Sequence, residues 1–314
     1  MAIDVDQFQQ HLKYTATRPL PGVLADLKSI AELDQLAQQK KQKIGRMQGW
    51  CVAVFIVSIL LTIFMAANEV FLLAGLGAIA VVASFIGLAI YGRRLAPWQK
   101  LDVPDFRHQL PKQVLEMVMR DVDATTPVAI ALDFNSSMIQ AKRTDSAPHP
   151  YRGGWTRDTF EDPWMTVQGA LLDGTSFELS LTEFWNQSQG YKTSASGKRK
   201  HKNKIKTKGI VLNLSLAFSR KRYGAVSMLK EDVLSAIHLP DENAHVKSIR
   251  VSDRKILLQV KLLPEPVTRS SLTNVYAAIA GTYVPPEKIY PAIASMFLSL
   301  YHVLNLAQKL SKAR

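Results

Sequence analysis

Two long apolar runs constrain this chain more than any other feature. Trp50–Ala67 reads WCVAVFIVSILLTIFMAA and Val70–Tyr91 reads VFLLAGLGAIAVVASFIGLAIY, and neither carries a charge. A helix rises about 1.5 Å per residue, so roughly 20 residues cross a hydrocarbon core of ~30 Å. Both runs reach that length, the first near the short limit. Only Asn68 and Glu69 separate them as polar residues, and so short a link predicts a helical hairpin. Lys40, Lys41, Lys43 and Arg46 precede the pair, and Arg93, Arg94 and Lys100 follow it. Positive charge on both outer flanks predicts that both chain ends lie on the cytoplasmic side. Trp50, Tyr91 and Trp98 stand where aromatic anchors sit at membrane–water boundaries. Asp4 and Asp6 near the start, with no apolar core after them, predict an uncleaved anchor rather than a cleaved leader.

Ala80, Ser84 and Gly87 share one face of the second run, and small residues let another helix approach closely. The partner expected there is the first helix of the same hairpin; a second copy of the chain is the alternative. Neither run holds an ionisable residue within its core, which argues against a proton or ion path.

The expected organisation is a cytoplasmic helical arm over 1–49, the transmembrane hairpin over 50–92 (spans 50–67 and 70–91), and a cytoplasmic α+β domain over 101–314. In the arm, Asp4–Tyr14 is predicted helical. Arg18–Gly22 then breaks the helix, and Leu24, Leu27, Ile30 and Leu33 resume helical spacing. In the third part Pro111–Val122 reads as a helix, and Val128–Asp133 and Ser137–Lys142 as strands. Trp164–Leu172 and Thr175–Phe184 flank Asp173-Gly174, a strong hairpin signal. Gly209–Ser219 reads as a further strand. Val246–Val251 and Lys255–Leu263 form another hairpin, and Ser271–Gly281 and Tyr290–Lys312 are predicted helices. Antiparallel pairs with helices before and after give an α+β order rather than an alternating one. On the last helix Ser295, Ser299, His302, Asn305 and Gln308 recur on one face, opposite Ile293, Phe297, Leu300 and Leu304. That division predicts an amphipathic helix rather than a third span.

The net charge is +13, and it is unevenly spread. Phe184–Lys230 contains Lys192, Lys198, Arg199, Lys200, Lys202, Lys204, Lys206, Lys208, Arg220, Lys221, Arg222 and Lys230, with no acid. Gly190–Gly197 is small and polar, which predicts a mobile loop. If residues 202–208 extend the following strand, four lysines share a face and repel one another. Three readings follow: contact with an anionic membrane leaflet or an acidic protein, nonspecific nucleic-acid binding, or a solvated edge that resists aggregation. Of the aromatic residues that base stacking would use, only Tyr191, Phe218 and Tyr223 are near.

A second candidate is the segment Tyr151–Trp164, which joins Gly153-Gly154 to Trp155, Asp158, Glu161, Asp162 and Trp164. Read as a loop, it offers tryptophans for binding and three carboxylates for a hard cation. The plainer expectation pairs the acids with Arg152 or Arg157 and packs the tryptophans on the sheet. A single cysteine, Cys51, rules out internal disulfides. No phosphate-binding glycine loop, nucleophile elbow or HExxH helix is present, and the seven histidines are scattered. No catalytic residue, metal or cofactor is expected, and an enzyme with an unrecognised site ranks third.

Lys206-Thr-Lys-Gly-Ile-Val and Val251-Ser-Asp-Arg-Lys-Ile-Leu-Leu-Gln-Val260, followed by the closing helix, complete an architecture that resembles uncharacterised bacterial two-helix membrane proteins with a C-terminal domain of unknown function. The resemblance implies a bacterial inner membrane and carries over no catalytic position. The functional expectation is a membrane-tethered binding or scaffolding module whose basic face engages anionic lipid or an acidic partner.

Overall fold

The computed structural model describes residues 5–68, 71–231, 233–267 and 281–312. The helix expected over Ser271–Gly281 lies outside them except for Gly281. The chain divides into two compact units, Met1–Gln10 with Leu27–Asp105, and His11–Asp26 with Phe106–Arg314.

In the first unit, α1 (Val5–His11) comes first in the chain. Helix α2 (Leu20–Ala67) runs for 48 residues without a break, and α3 (Phe71–Leu101) for 31. The two pack antiparallel. Thr62 covers the backbone at Gly77, and Cys51 lies against Gly87. Lys41 and Gln38 of α2 reach Asp102 and Asp105 just beyond α3. The seam is built from small or short residues. Ser58, Gly77 and Ser84 are buried, with Ala80 and Gly87 half-buried beside them. The seam hydroxyls are satisfied inside their own helices, Thr62 Oγ1 donating to the Ser58 carbonyl and Ser84 Oγ to that of Ala80. The expected packing of Ala80, Ser84 and Gly87 is therefore the packing found. Outside the seam, the described residues of the two uncharged runs are mostly bare: Phe64 is 62% exposed and Phe85 65%.

Among the described residues three helices are long and apolar enough to cross a membrane by length and composition: α2, α3 and the closing helix α7 (Pro286–Lys312). They differ in what covers them. Only 6% and 11% of the apolar windows of the first two are buried, against 50% for α7.

The second unit is an eight-stranded antiparallel sheet, order β1-β2-β4-β5-β6-β8-β7, with β3 paired to β4 off that path. Its strands are β1 (Lys13–Pro19), β2 (Pro127–Asp133), β3 (Arg143–Pro148), β4 (Trp155–Ala170), β5 (Ser176–Thr193), β6 (Arg199–Ala217), β7 (Ala244–Val251) and β8 (Lys255–Leu262). A separate two-residue ladder joins β9 (Glu265–Pro266) to β10 (Thr282–Tyr283). On the core face Phe177, Leu179 and Leu181 of β5 stand opposite Leu216, Leu214 and Leu212 of β6. Helix α7 closes over them, with Phe297 edge-on to Phe177 at 5.7 Å. Helix α4 (Phe106–Val118) buries Leu110, Val114, Leu115 and Val118. The closing helix divides its faces as expected except at Ser299, which is buried and accepts the His238 N–H.

Four expectations are corrected. The helical arm is interrupted: residues 13–19 form β1, which pairs with β2 and joins the sheet unit. Ser137–Lys142 is not a strand; Gln140–Lys142 makes a short 3-10 turn, and the strand follows as β3. Tyr151–Trp164 is not a long loop, because β4 begins at Trp155. Gly190–Gly197 is not a free loop either. Gly190–Thr193 belong to β5, β6 begins at Arg199, and the turn is confined to the residues between. Its tightness rests on Gly197, whose φ is +77°.

Candidate functional site

The β5–β6 hairpin carries most of the predicted basic residues, and its register decides how they are displayed. Lys192↔Lys200, Gly190↔Lys202, Ser188↔Lys204 and Asn186↔Lys206 are paired positions. Side chains alternate along a strand, so Lys200, Lys202, Lys204 and Lys206 share the outer face. All four are exposed, as are Lys198 in the turn and Arg199 and Lys208 on β6. Among the described residues none of these seven lies within 4.0 Å of a carboxylate. Lys208 falls in a bulge, where Phe184↔Gly209 gives way to Trp185↔Thr207. Gly209 takes φ +106°, and a β-carbon there would strike the Leu262 carbonyl.

The bulge marks where neighbouring strands change. Strand β8 pairs with β6 only from Ile210 to Ala217. Beyond Leu262 the chain reads Leu263-Pro264-Glu265-Pro266, and proline cannot donate to a ladder. Among the described residues no strand pairs with the outer edge of β6 from Arg199 to Lys208.

Arg220, Lys221 and Arg222 are not part of this surface. They form α5 (Arg220–Tyr223) beyond the other end of β6, and a 19-residue strand spans about 60 Å. Arg220 faces Asp253 at 3.6 Å, and Arg222 donates to the Asp173 carbonyl at 2.6 Å. The charge run that is continuous in sequence is thus divided in space. Phe218 and Tyr223 are buried, and Tyr191 is exposed beside Arg199 at 5.2 Å and His201 at 5.4 Å.

The Trp155–Trp164 residues are distributed over a strand and do not converge. Trp155 lies flat across Gly190, where any β-carbon would collide with its ring, and its Nε1 donates to the Tyr191 carbonyl at 3.1 Å. Trp164 is buried edge-on to Phe106. Asp158 accepts from Ser146 Oγ at 2.6 Å with Arg143 at 3.8 Å, while Glu161 is exposed. Asp162 is fully buried and stands directly opposite Glu183. Like charges in that position repel, and two cations resolve the conflict. Arg107 of α4 donates to Asp162 at 2.5 Å and to Glu183 at 3.3 Å, and Lys142 lies 2.6 Å from the other Asp162 oxygen. Arg107 also caps the carbonyls of Asp133 and Asn135, both at 2.9 Å. Burial would lower the Arg107 guanidinium, but the charges of Glu183 and Asp162 hold it above its ordinary value. Asp133 is held below the usual carboxylate range: burial pushes it up, and hydrogen bonds from Asn135 and Lys142 outweigh that. The expected partners Arg152 and Arg157 play no part in this cluster. Arg152 instead lies over the Trp155 ring at 4.7 Å.

Sequence reasoning missed Arg107 and Lys142. Arg107 lies 55 positions before Asp162, and Lys142, beside Arg143 in sequence, reaches both Asp133 and the distant Asp162, so no local spacing marks either residue. No protein-family model, curated protein or solved structure matches the chain.

Proposed function

We propose that this chain is a membrane-anchored binding module: α2 and α3 cross the bilayer as a hairpin, and the lysine face of β6 binds anionic headgroups on the cytoplasmic leaflet. The observation that carries the second half is the unpaired row of Lys200, Lys202, Lys204 and Lys206. Each lysine near an anionic leaflet contributes about 1 kcal/mol, and the contributions fall as salt rises. A patch on a chain already anchored orients its domain rather than recruits it. Among the described residues of the β5–β6 hairpin Tyr191 is the exposed aromatic beside the row, and one such ring weighs against a stacking platform for nucleic-acid bases.

The anchor is supported by the bare apolar faces of α2 and α3, which far exceed the few hundred Å2 of apolar patch that a water-soluble surface tolerates. The basic flanks support placing both termini in the cytoplasm. The resemblance noted above supports a bacterial inner membrane. Helix α7 is assigned to the sheet domain, because half of its apolar window already has a protein partner.

The test uses the full-length chain in lipid nanodiscs and reads acylation of each lysine by mass spectrometry. Protection of Lys200–Lys206 in anionic but not neutral nanodiscs, lost at high salt, is the expected result. Equal labelling in both overturns the headgroup assignment. Protection by added RNA in neutral nanodiscs transfers the surface to nucleic acid.

A further inference from the structure

At the end of the sheet far from the lysine row, a groove of about 420 Å3 opens between α4, α7 and the β4–β5 turn. Three aromatic residues of α7 line it, Tyr290, Phe297 and Tyr301, and two carboxylates reach it, Asp121 and Asp173. Its remaining lining is aliphatic apart from Met117, and none of its lining residues is basic. In a chain of net charge +13 the charged groups of this lining are acids, with Arg120 in the adjoining groove that shares Met117 and Tyr290. The volume falls in the range of small-molecule sites, which are apolar with a few polar groups that fix orientation.

Asp173 is built to stay ionised there. Its Oδ1 accepts the Thr175 N–H at 2.8 Å, and its Oδ2 accepts the hydroxyls of Tyr223 and, at 3.3 Å, Tyr301. All three donors are neutral, so they stabilise the negative charge without cancelling it. Burial pushes the Asp173 carboxyl up, but these hydrogen bonds hold it below the usual carboxylate range. Burial and the Asp173 charge push the Tyr301 hydroxyl well above its ordinary range, so it remains a donor. Arg222 bonds the Asp173 backbone carbonyl and is not among the lining residues.

We propose that this groove binds an organic cation, an ammonium head on a short apolar body, with the head beside the Asp173 carboxylate and the Tyr301 ring and the body along Phe297 and Leu298. Aromatic rings and a carboxylate together favour a weakly hydrated cation over an anion or a neutral alcohol of equal length. The two acids repel anions, which separates this site from the phosphate chemistry proposed for the lysine row.

The experiment is calorimetric titration of the full-length chain in neutral nanodiscs with hexyltrimethylammonium, against hexanol and hexanoate, with empty nanodiscs to subtract partitioning. Saturable binding of the ammonium, at least about tenfold tighter than hexanol and with no hexanoate binding, is expected. Ala294→Trp puts an indole into the groove lining and should abolish binding. Asp173→Asn keeps the turn chemistry and should weaken the ammonium about tenfold while leaving hexanol unchanged. Equal affinity for ammonium and hexanol, or no saturable binding, overturns the assignment. Binding that survives Ala294→Trp in a chain with an unchanged circular dichroism spectrum overturns the location.

Discussion

The two halves of the β5–β6 hairpin differ in register by the one residue of the bulge and face opposite demands. From Ser176 to Glu183 the core side of β5 meets a row of leucines on β6, sealed by α7. Beyond the bulge the same side becomes Trp185, Gln187, Gln189 and Tyr191 opposite Thr207, Ile205, Asn203 and His201. The inner half is flanked by β8 and β2-bound β4; the outer half has β3 on one side of β4 and, among the described residues, no strand paired to the edge of β6. Backbone pairing alone therefore extends a hairpin well past its core, provided a few fixtures hold the extension. Here these are a small cluster of Phe160, Trp185, Met138 and Ile205, the Trp155 ring on Gly190, and the buried charges at the junction. Stability is concentrated in one half and surface chemistry in the other.

The junction should be the most sensitive point. Arg107→Ala leaves Asp162 and Glu183 facing each other with Lys142 alone, and should cost about 3–5 kcal/mol in denaturant unfolding. A loss below ~1 kcal/mol would mean the two halves are not clasped there. Leu212→Ala, in the inner half, should cost about 2–5 kcal/mol. Its outer-half counterpart, Ile205→Ala, should cost clearly less, since Ile205 is only half-buried. Equal losses would erase the contrast. Gly190→Ala displaces the Trp155 ring and should cost about 1–3 kcal/mol. Hydrogen exchange should rise along residues 186–204 and stay unchanged along 176–183. Neutralising Lys200, Lys202, Lys204 and Lys206 to Gln should change stability by no more than about 0.5 kcal/mol, toward stabilisation at low salt. The same variant should lose the headgroup protection described above.

Acid probes the junction without mutation. Asp133 titrates lower in the folded chain than in the unfolded one, so its contribution is full above the unfolded carboxylate range. It is lost as the pH falls through the folded value. Acid unfolding followed by circular dichroism should lose this contribution in Lys142→Met, which removes the ammonium 3.1 Å from Asp133.

The parts legible in sequence were those whose cause is local. Asp173-Gly174 made its turn, with Gly174 at φ +79°, and the uncharged runs made the helices. The alternating lysines of 202–208 pointed to one face because alternation is a property of the strand itself, a pattern that Lys202, Lys204 and Lys206 follow and that the bulge interrupts at Lys208. What stayed hidden depended on distant partners. Asp158, Glu161, Asp162 and Pro163 read as a loop because composition cannot show that Arg107 neutralises Asp162, or that the irregularity between Pro163 and Met165 absorbs the proline. Lys13–Pro19 read as a helix and its breaker because its strand partner lies over 100 residues on. The groove at Asp173 was hidden for the same reason: Tyr301, Tyr223 and Asp173 are neighbours only after folding.

That distant pairing of β1 with β2 has a meaning in time. The ribosome completes Lys13–Pro19 and then makes both long helices before Pro127 appears. At ~5–20 residues per second this leaves the strand waiting for roughly 5–20 s. The two long helices are therefore made inside the sheet domain's own chain, and the domain can close its edge only after both have been synthesised. An arrest that holds the chain before Asp133 is complete should leave Tyr14 open to modification, and release should bury it.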